Sequence, residues 1–289
     1  MRPVLGLSLV THQSRDTPHA FDRIYFDASS IGRSIIESIN ASARQSIAEA
    51  FKPIEIRAPW LQESFADMAD LRRQRYPANW VSETLRSDLA TAFPIIKDEG
   101  IPLVYVPRAD IFTAILAAND RAERIQILIQ RKADILDDCA EALDVDMHPH
   151  VADQTPLIRE AVTTYRNGNA AAAQALAVVV CDTLIKANVA YGYSDAKRQA
   201  TPGNLDAAIL ANILRIELGA APLVKFLTDW SPTSGRPAPQ ELSRHVTVHH
   251  ASAAHLRDDN GLIAIMLATG LTRALSEMYE WFESSPGNR

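Results

Sequence analysis

The sequence predicts an all-α protein, and three observations support that fold class. Apolar residues recur at helical spacing along most of the 289 residues. Pro156 follows a capping Thr155, and Gly100 follows another periodic segment, so helix start and stop signals separate the segments. Residues 101–106 are strand-like in composition but have no evident partner strand. A content of 47% hydrophobic and 22% charged residues is enough for a full core.

The first half of the chain, residues 1–150, is predicted to be a helical region of unknown role. Residues 4–10 form a short apolar run that suits a strand or an extended arm. Pro94 is expected to kink the third helix. Asp137 and Asp138 are adjacent and point about 100° apart on a helix, so they are interpreted as a solvated turn and not as a catalytic pair. The expected helices span residues 29–50, 59–75, 82–99, 109–118 and 121–143.

A break in the helical pattern at residues 144–154 predicts a domain boundary. His148 and His150 lie in this break and could bind a metal, but no cysteine and no recognised ligand spacing accompany them. We therefore expect a second helical bundle over residues 153–289, and no metal site at the boundary.

The second bundle begins with a helix–turn–helix unit and ends with a long apolar helix. A tight turn at residues 167–169 joins its first two helices, and prolines mark an exposed connector at residues 231–239. Apolar residues cover more than one stripe of the last segment, so we expect that helix to be central or buried in a partner. The expected helices span residues 155–166, 170–187, 205–218, 222–230 and 258–282.

The chemistry of the sequence is concentrated just before this last helix. Four of the eight histidines, His245, His249, His250 and His255, lie within eleven residues, and Arg244 precedes them. An arginine can hold a phosphate by a bidentate fork, and a histidine can move a proton at neutral pH. The cluster is therefore the best candidate for an active site.

This arrangement resembles the HEPN family of helical ribonucleases and toxin-like effectors. In that family's signature an arginine, a polar residue and, a few positions later, a histidine stand beside a late helix of a bundle; Arg244, His245 and His249 match these positions. Asn260 resembles a further polar residue of some relatives. The chain departs from the pattern at Ser243, where relatives often have Asn, and at His250, where they often have Gly.

The resemblance implies a metal-independent endoribonuclease, which in such families acts as a toxin or in phage defence. It implies that His249 is the general base or acid, that Arg244 clamps the phosphate, and that His245 positions groups or transfers a second proton. It further implies a homodimer that brings two motifs together, RNA as the substrate, and a protein partner or antitoxin as a regulator. Substrate binding is assigned to His250, Asn260 and Arg257, and no cofactor is expected.

Three alternatives remain open from the sequence. His245 and His249 are four residues apart and could share a metal, but Val246 stands where the hydrolytic zinc motif needs a glutamate. Arg244 and His249 could instead form a structural hydrogen-bond network at a helix start. In that case the protein would be a non-catalytic helical scaffold or interaction module that oligomerises. As a third alternative, the Arg-His cluster of such a module could bind a nucleotide.

Charge, cysteine content and hydropathy indicate which partners and which cellular compartment to expect. The net charge of −6 means that bulk electrostatics will not attract nucleic acid, so any such binding needs a local basic patch or a dimer groove. Cys139 and Cys181 lie in apolar-periodic segments and are expected to be buried thiols in a reducing compartment. The apolar run at residues 170–185 is interrupted by Gln174 and Asp182, so we expect no membrane contact and a cytoplasmic protein.

Overall fold

The structure is a computed structural model that describes residues 73–189 and 192–284. Over these residues it consists of helices and loops without a strand, so the all-α prediction is confirmed. The expectations for residues 4–10 and 29–50, and all but the end of the segment at 59–75, lie outside the described residues.

The helices are numbered here in chain order. The first four are α1 Leu85–Asp98, α2 Ala109–Ala117, α3 Arg121–Gln130 and α4 Lys132–Ala142. The next six are α5 Pro149–Ala152, α6 Thr155–Arg166, α7 Ala170–Asn188, α8 Tyr193–Gln199, α9 Leu205–Leu210 and α10 Leu214–Ala220. The last three are α11 Leu223–Phe226, α12 Arg244–His249 and α13 Asp258–Ser284, with a 3-10 turn at Pro232–Ser234 between α11 and α12.

Two predicted helices are each two helices in the structure. The segment 205–218 divides into α9 and α10 around Asn212, whose φ is +59°. The segment 121–143 breaks at Arg131, whose backbone leaves the α region (φ −106°, ψ 17°). The guanidinium of Arg131 pairs with Asp134 at the start of α4 and with Asp110 of α2, at 2.6 and 2.8 Å. The periodicity of the segment did not indicate this break.

The interpretation of Asp137 and Asp138 as a solvated turn is wrong for Asp138. Its side chain is only 7% exposed and accepts hydrogen bonds from the backbone N–H and the Nε–H of Arg108, at 2.7 and 2.6 Å. Asp137 is exposed and pairs with Arg166. The two carboxylates, one buried and one at the surface, therefore bind different arginines, as expected for adjacent helix residues that point about 100° apart.

The segment at residues 101–106 forms no strand in the structure but is a mostly buried, irregular link. The carbonyl oxygen of Leu103 accepts hydrogen bonds from the indole of Trp80 and the amide of Asn79, at 2.8 and 3.1 Å. These side chains satisfy a backbone group that a partner strand would otherwise bind.

Helix α13 is the centre of the protein, as its wide apolar surface predicted. Every residue from Asn260 to Thr272 is buried. The helix packs against α3, α4, α6, α7 and α10. Two glycines allow α13 to lie close to its neighbours α10 and α7. A Cβ on Gly219 would lie 2.8 Å from Ala274 Cβ, and a Cβ on Gly261 would lie 2.9 Å from the Ala170 carbonyl oxygen.

Residues on both sides of the expected domain boundary contribute to one core. The buried apolar residues from Tyr76 to Met278 form a single cluster. Helix α5 lies within the expected boundary at residues 144–154 and itself packs on α13. The described part of the first region therefore shares its core with the second, and the division at this point stays a prediction.

Two core helices are also long and apolar enough to cross a membrane. They are α7 and α13, whose apolar windows are 50% and 89% buried. Length and composition are the sole basis of this finding, and the core helix of a soluble protein passes the same test. In the structure α7 and α13 pack against each other.

The two cysteines are buried free thiols, as predicted. Cys139 lies on α4 and Cys181 on α7. Burial raises the pKa of the Cys139 thiol to about 12 and raises that of Cys181 further. Both are therefore thiols, and not thiolates, at neutral pH.

Candidate functional site

The Arg-His cluster lies on the short helix α12, which packs on α7. Ser243 precedes the helix with an extended backbone, and its hydroxyl accepts the Val246 N–H at 3.4 Å. Val246 and Thr247 point inward, and the Thr247 hydroxyl accepts a hydrogen bond from the buried amide of Gln174 on α7. These two residues fix the inner face of α12, and Arg244 at its start is partly buried against α7 and α8.

Arg244 is held by side chains from two other elements. Its Nε–H donates to Asp182 Oδ1 at 2.9 Å, and its Nη2 donates to the hydroxyl of Tyr193 at 2.6 Å. The guanidinium carbon lies 3.9 Å from the centroid of the Tyr193 ring. With three such contacts the guanidinium has a fixed orientation, and its side chain is 12% exposed.

Asp182 is the point at which these contacts converge. Its Oδ1 also accepts the Tyr193 hydroxyl at 2.6 Å, and its Oδ2 pairs with Lys186 at 2.7 Å. Partial burial alone would raise the pKa of Asp182, but the hydrogen bonds from Lys186, Tyr193 and Arg244 outweigh it and lower that pKa. Asp182 is therefore ionised at neutral pH.

The third nitrogen of the Arg244 guanidinium, Nη1, faces His249. Nη1 of Arg244 lies 3.3 Å from Nε2 of His249. A guanidinium can only donate, so Nε2 of His249 accepts, and the contact exists only while that nitrogen is unprotonated. His249 is exposed to solvent. An exposed imidazole and a fixed cation therefore share one small surface.

Two further imidazoles adjoin His249. The ring of His245 lies 5.1 Å from that of His249 and 5.4 Å from that of His250, centroid to centroid. Partial burial lowers the pKa of His245, and the neighbouring His249, His250 and Arg244 lower it further. His245 is therefore neutral at pH 7 and able to accept a proton.

Asn260 and Arg257 do not join this surface. Asn260 is fully buried, and its amide donates to the carbonyl oxygens of Gln240 and His255, each at 3.0 Å. Arg257 forms two hydrogen bonds to Asp259 and donates to the Gln240 carbonyl oxygen. Both residues fasten the segment before α12 to the start of α13. A buried amide cannot contact a substrate, so Asn260 is a structural residue in this fold.

His255 is also separated from the outer cluster. It is 3% exposed, with Nδ1 at 3.3 Å from the Pro239 carbonyl oxygen and Nε2 at 3.2 Å from the Thr247 hydroxyl. Burial lowers the pKa of His255. His255 therefore supports α12 from beneath and is not a surface residue.

A metal site has little support in the geometry. In the described part of the chain, no three His, Cys, Asp or Glu side chains gather as metal ligands. His148 and His150 stack on the ring of Tyr279, and His148 Nε2 lies 3.1 Å from a Glu283 oxygen. This pair thus joins α5 to the end of α13.

Two open cavities lie elsewhere. One of about 540 Å³ is lined by Arg215, Glu277 and Trp281 among others, and one of about 460 Å³ by Tyr105 and Asp138 among others. Arg273 lines both. Neither contains a residue of the Arg-His cluster.

Comparison with known proteins identified no similar protein. No protein-family model, curated protein or solved structure matches this chain. The likeness to the HEPN family therefore rests on the residues of the Arg-His cluster and on the helical architecture around it.

The sequence pattern found Arg244, His245, His249 and His250, which the structure brings together, but it missed Asp182, Lys186 and Tyr193. One signal was available, since Asp182 interrupts the apolar run of α7. A carboxylate in such a run requires a partner. Lys186, four residues later on α7, is one partner that helix spacing indicates, whereas only the folded chain identifies Arg244 and Tyr193 as the others.

Proposed function

We propose that the protein is a metal-independent endoribonuclease whose active site is the surface formed by Arg244, His245 and His249. The observation that carries the proposal is the 3.3 Å contact between Arg244 Nη1 and His249 Nε2 on an exposed surface. A cation that can hold a phosphate and an imidazole that can move a proton are two of the groups that phosphodiester transfer requires, and a second proton-transfer group is the third.

The reaction is an attack by the RNA's own 2′-hydroxyl on the adjacent phosphorus. A base removes the 2′-hydroxyl proton as the new O–P bond forms. The bond to the 5′ oxygen then breaks, and an acid gives that oxygen a proton. The products are a 2′,3′-cyclic phosphate and a 5′-hydroxyl, and no metal or water takes part in this step.

The three residues divide the work by position. Arg244 holds the phosphate and offsets the charge that its oxygens gain in the transition state. His249 is the general base or acid, because it is exposed and next to the guanidinium. His245, which is neutral at pH 7, is the positioning or second proton-transfer group. His250 lies beyond it, where it would contact the substrate.

We further propose that the protein acts as a homodimer, which would supply a second set of these groups. Helix α7 exposes Ala172, Ala175 and Val179 beside the site, and Val248 of α12 is also exposed; Val179 and Val248 are 54% and 42% accessible. A strictly monomeric mass by light scattering would contradict this arrangement. The proposed biological setting, a cytoplasmic toxin or phage-defence effector under control of a protein partner or antitoxin, follows from the HEPN resemblance.

A second candidate function is a non-catalytic scaffold or interaction module. The observation that favours it is the partial burial of Arg244, whose side chain is 12% exposed and bonded to Asp182 and Tyr193. Such a network can serve to attach α12 and α8 to α7. In that case the imidazoles would be surface residues without a chemical role.

Cleavage of a labelled mixed-sequence RNA in EDTA separates the two functions. We expect the wild type to produce cyclic phosphate ends. Arg244→Ala and His249→Ala should each lose about 100-fold or more in rate, the usual contribution of a positioned proton-transfer or charge-stabilising group.

Matched controls are available on the same chain. Arg86 is exposed and paired with Asp206, and His150 is exposed and stacked on Tyr279. Arg86→Ala and His150→Ala should cleave like the wild type. Cleavage that survives both Arg244→Ala and His249→Ala would contradict the assignment, and no cleavage by the wild type at high concentration would favour the scaffold.

A further inference from the structure

A row of aromatic rings leads away from the Arg-His cluster. His245 is followed by His250 at 5.4 Å, and His250 is followed by Trp230 at 5.4 Å in an edge-to-face arrangement. His249 lies at the other end of the row, 5.1 Å from His245. The row therefore connects the proposed phosphate site to an indole on a separate loop.

Trp230 has no role in the core. Of the three tryptophans that the structure describes, Trp80 is in the core cluster and Trp281 packs against it, whereas Trp230 does neither. Its side chain is half-buried at the surface. A large aromatic ring left outside the core is the kind of residue that contacts a ligand.

The loop that follows Trp230 is braced so that the indole is held in one orientation. The indole N–H donates to the carbonyl oxygen of Arg236 at 3.0 Å, and the Arg236 guanidinium donates to the Asp229 carbonyl oxygen at 3.2 Å. Ser231 caps the short 3-10 turn between them by accepting the Thr233 N–H. These bonds lie within residues 229–236 and limit the freedom of the ring before any ligand binds.

We propose that Trp230 forms a stacking surface for an unpaired nucleobase of the strand whose phosphate Arg244 holds, with the His250 ring perpendicular to the indole at its edge, so that the substrate is single-stranded RNA. This inference rests on the proposed nuclease function. Every base has an aromatic face, so stacking tolerates sequence but requires that the base be unpaired.

The charge of the protein makes stacking important for affinity. With a net charge of −6 the whole molecule repels a polyanion, and the cation Arg244 is already bonded to Asp182. Stacking adds binding free energy that does not depend on net charge. Arg236 supplies a further exposed cation on the same loop.

Binding of an uncleavable strand tests the inference without relying on catalysis. The probe is a fluorescein-labelled 2′-O-methyl RNA oligonucleotide, which lacks the attacking hydroxyl, measured by anisotropy at fixed salt. Trp230→Leu removes the aromatic face and keeps bulk, whereas Trp230→Phe keeps an aromatic face. We expect the dissociation constant to rise about tenfold in Trp230→Leu and by clearly less in Trp230→Phe, which keeps an aromatic face but loses the N–H bond to the Arg236 carbonyl oxygen.

Two controls give the result its meaning. The same oligonucleotide in a duplex should bind more weakly than the single strand and be insensitive to Trp230→Leu. The thermal unfolding midpoint of Trp230→Leu should match the wild type, because Trp230 is outside the core.

The outcomes separate this inference from the nuclease proposal. Trp230-dependent binding of single strands by a protein that cleaves nothing would support the stacking surface and overturn the nuclease. RNA cleavage with equal binding by wild type and Trp230→Leu would overturn the stacking surface alone. Failure of the wild type to bind the single strand, or equal binding of single strand and duplex, would also overturn the stacking surface.

Discussion

The guanidinium of Arg244 donates to the imidazole of His249 across five positions of one short helix, with 3.3 Å between Nη1 and Nε2. Residues five apart on an α-helix differ by about 140° in direction, so this contact does not follow from the helix itself. It forms because Asp182 and Tyr193, on other elements, turn the arginine side chain toward His249. The geometry of the pair therefore depends on residues outside the motif.

Asp182→Asn should uncouple this arrangement. The substitution removes the charge that binds Arg244 and Lys186, so we expect the free energy of unfolding at pH 7 to fall by about 1–3 kcal/mol in urea titrations. Because the pKa of Asp182 is lowered in the folded state, its contribution is present above the unfolded pKa and is lost as pH falls through the folded one. The difference from the wild type should therefore shrink in acid.

The matched control for this prediction is Asp195→Asn, at a more exposed acid on α8. It should change stability by less than about 1 kcal/mol. If Asp182 only stabilises the fold, Asp182→Asn would leave RNA cleavage per folded molecule unchanged. A positioning role predicts a lower kcat with a smaller change in KM.

Asn260→Ala should destabilise the protein without a direct effect on substrate binding. The buried carbonyl oxygen of His255 would lose its Asn260 donor, at a cost of about 1–3 kcal/mol, whereas the Gln240 carbonyl oxygen would keep its bond from Arg257. Urea unfolding checks this, with exposed Asn167→Ala as the control. If Asn260→Ala had normal stability but no longer bound RNA, Asn260 would be a substrate-binding residue and the structural assignment would be wrong.

Glu217→Gln should stabilise the protein increasingly as pH rises. Burial raises the pKa of Glu217 from 4.5 to about 7. Because the folded pKa exceeds the unfolded one, the stability from the protonated carboxyl is fully present below about 4.5 and is lost as pH rises through about 7. Glutamine stays neutral, so the gain over the wild type should be larger at pH 8 than at pH 5.

Thermal unfolding midpoints measured at both pH values check the Glu217 prediction. Glu160→Gln, at an exposed acid on α6, is the control and should give a small and nearly constant difference. A gain for Glu217→Gln that is equal at pH 5 and pH 8 would mean that Glu217 does not titrate in this range.

Gly219→Ala should destabilise the contact between α10 and α13. The new Cβ would lie 2.8 Å from Ala274 Cβ and 3.4 Å from the Gly270 carbonyl oxygen, so the helices must separate. Overpacking of this kind costs about 1–3 kcal/mol. Gly203→Ala is the control, because its Cβ would meet nothing within 4 Å. The denaturant midpoint of Gly219→Ala should therefore be lower than that of Gly203→Ala.

The helices of this protein were largely predictable because their signals are local. Apolar spacing, Pro156 at a helix start and Gly168 in a turn act within a few residues, and α6, α7 and α13 are found where these signals predicted them. The break at Arg131, whose guanidinium pairs with Asp110 of another helix, was missed. Local patterns do not contain such contacts.

The sequence by itself determined the all-α class, the central apolar helix and the spacing that singles out Arg244 and His249. Only the tertiary structure decided that Asp182 and Tyr193 orient Arg244, that His250 adjoins Trp230, and that Asn260 is buried. Helix formation depends on neighbours in the chain, whereas a site depends on groups that folding brings from distant positions. Burial, which sets the protonation of His245 and Glu217, is likewise a property of the packed molecule.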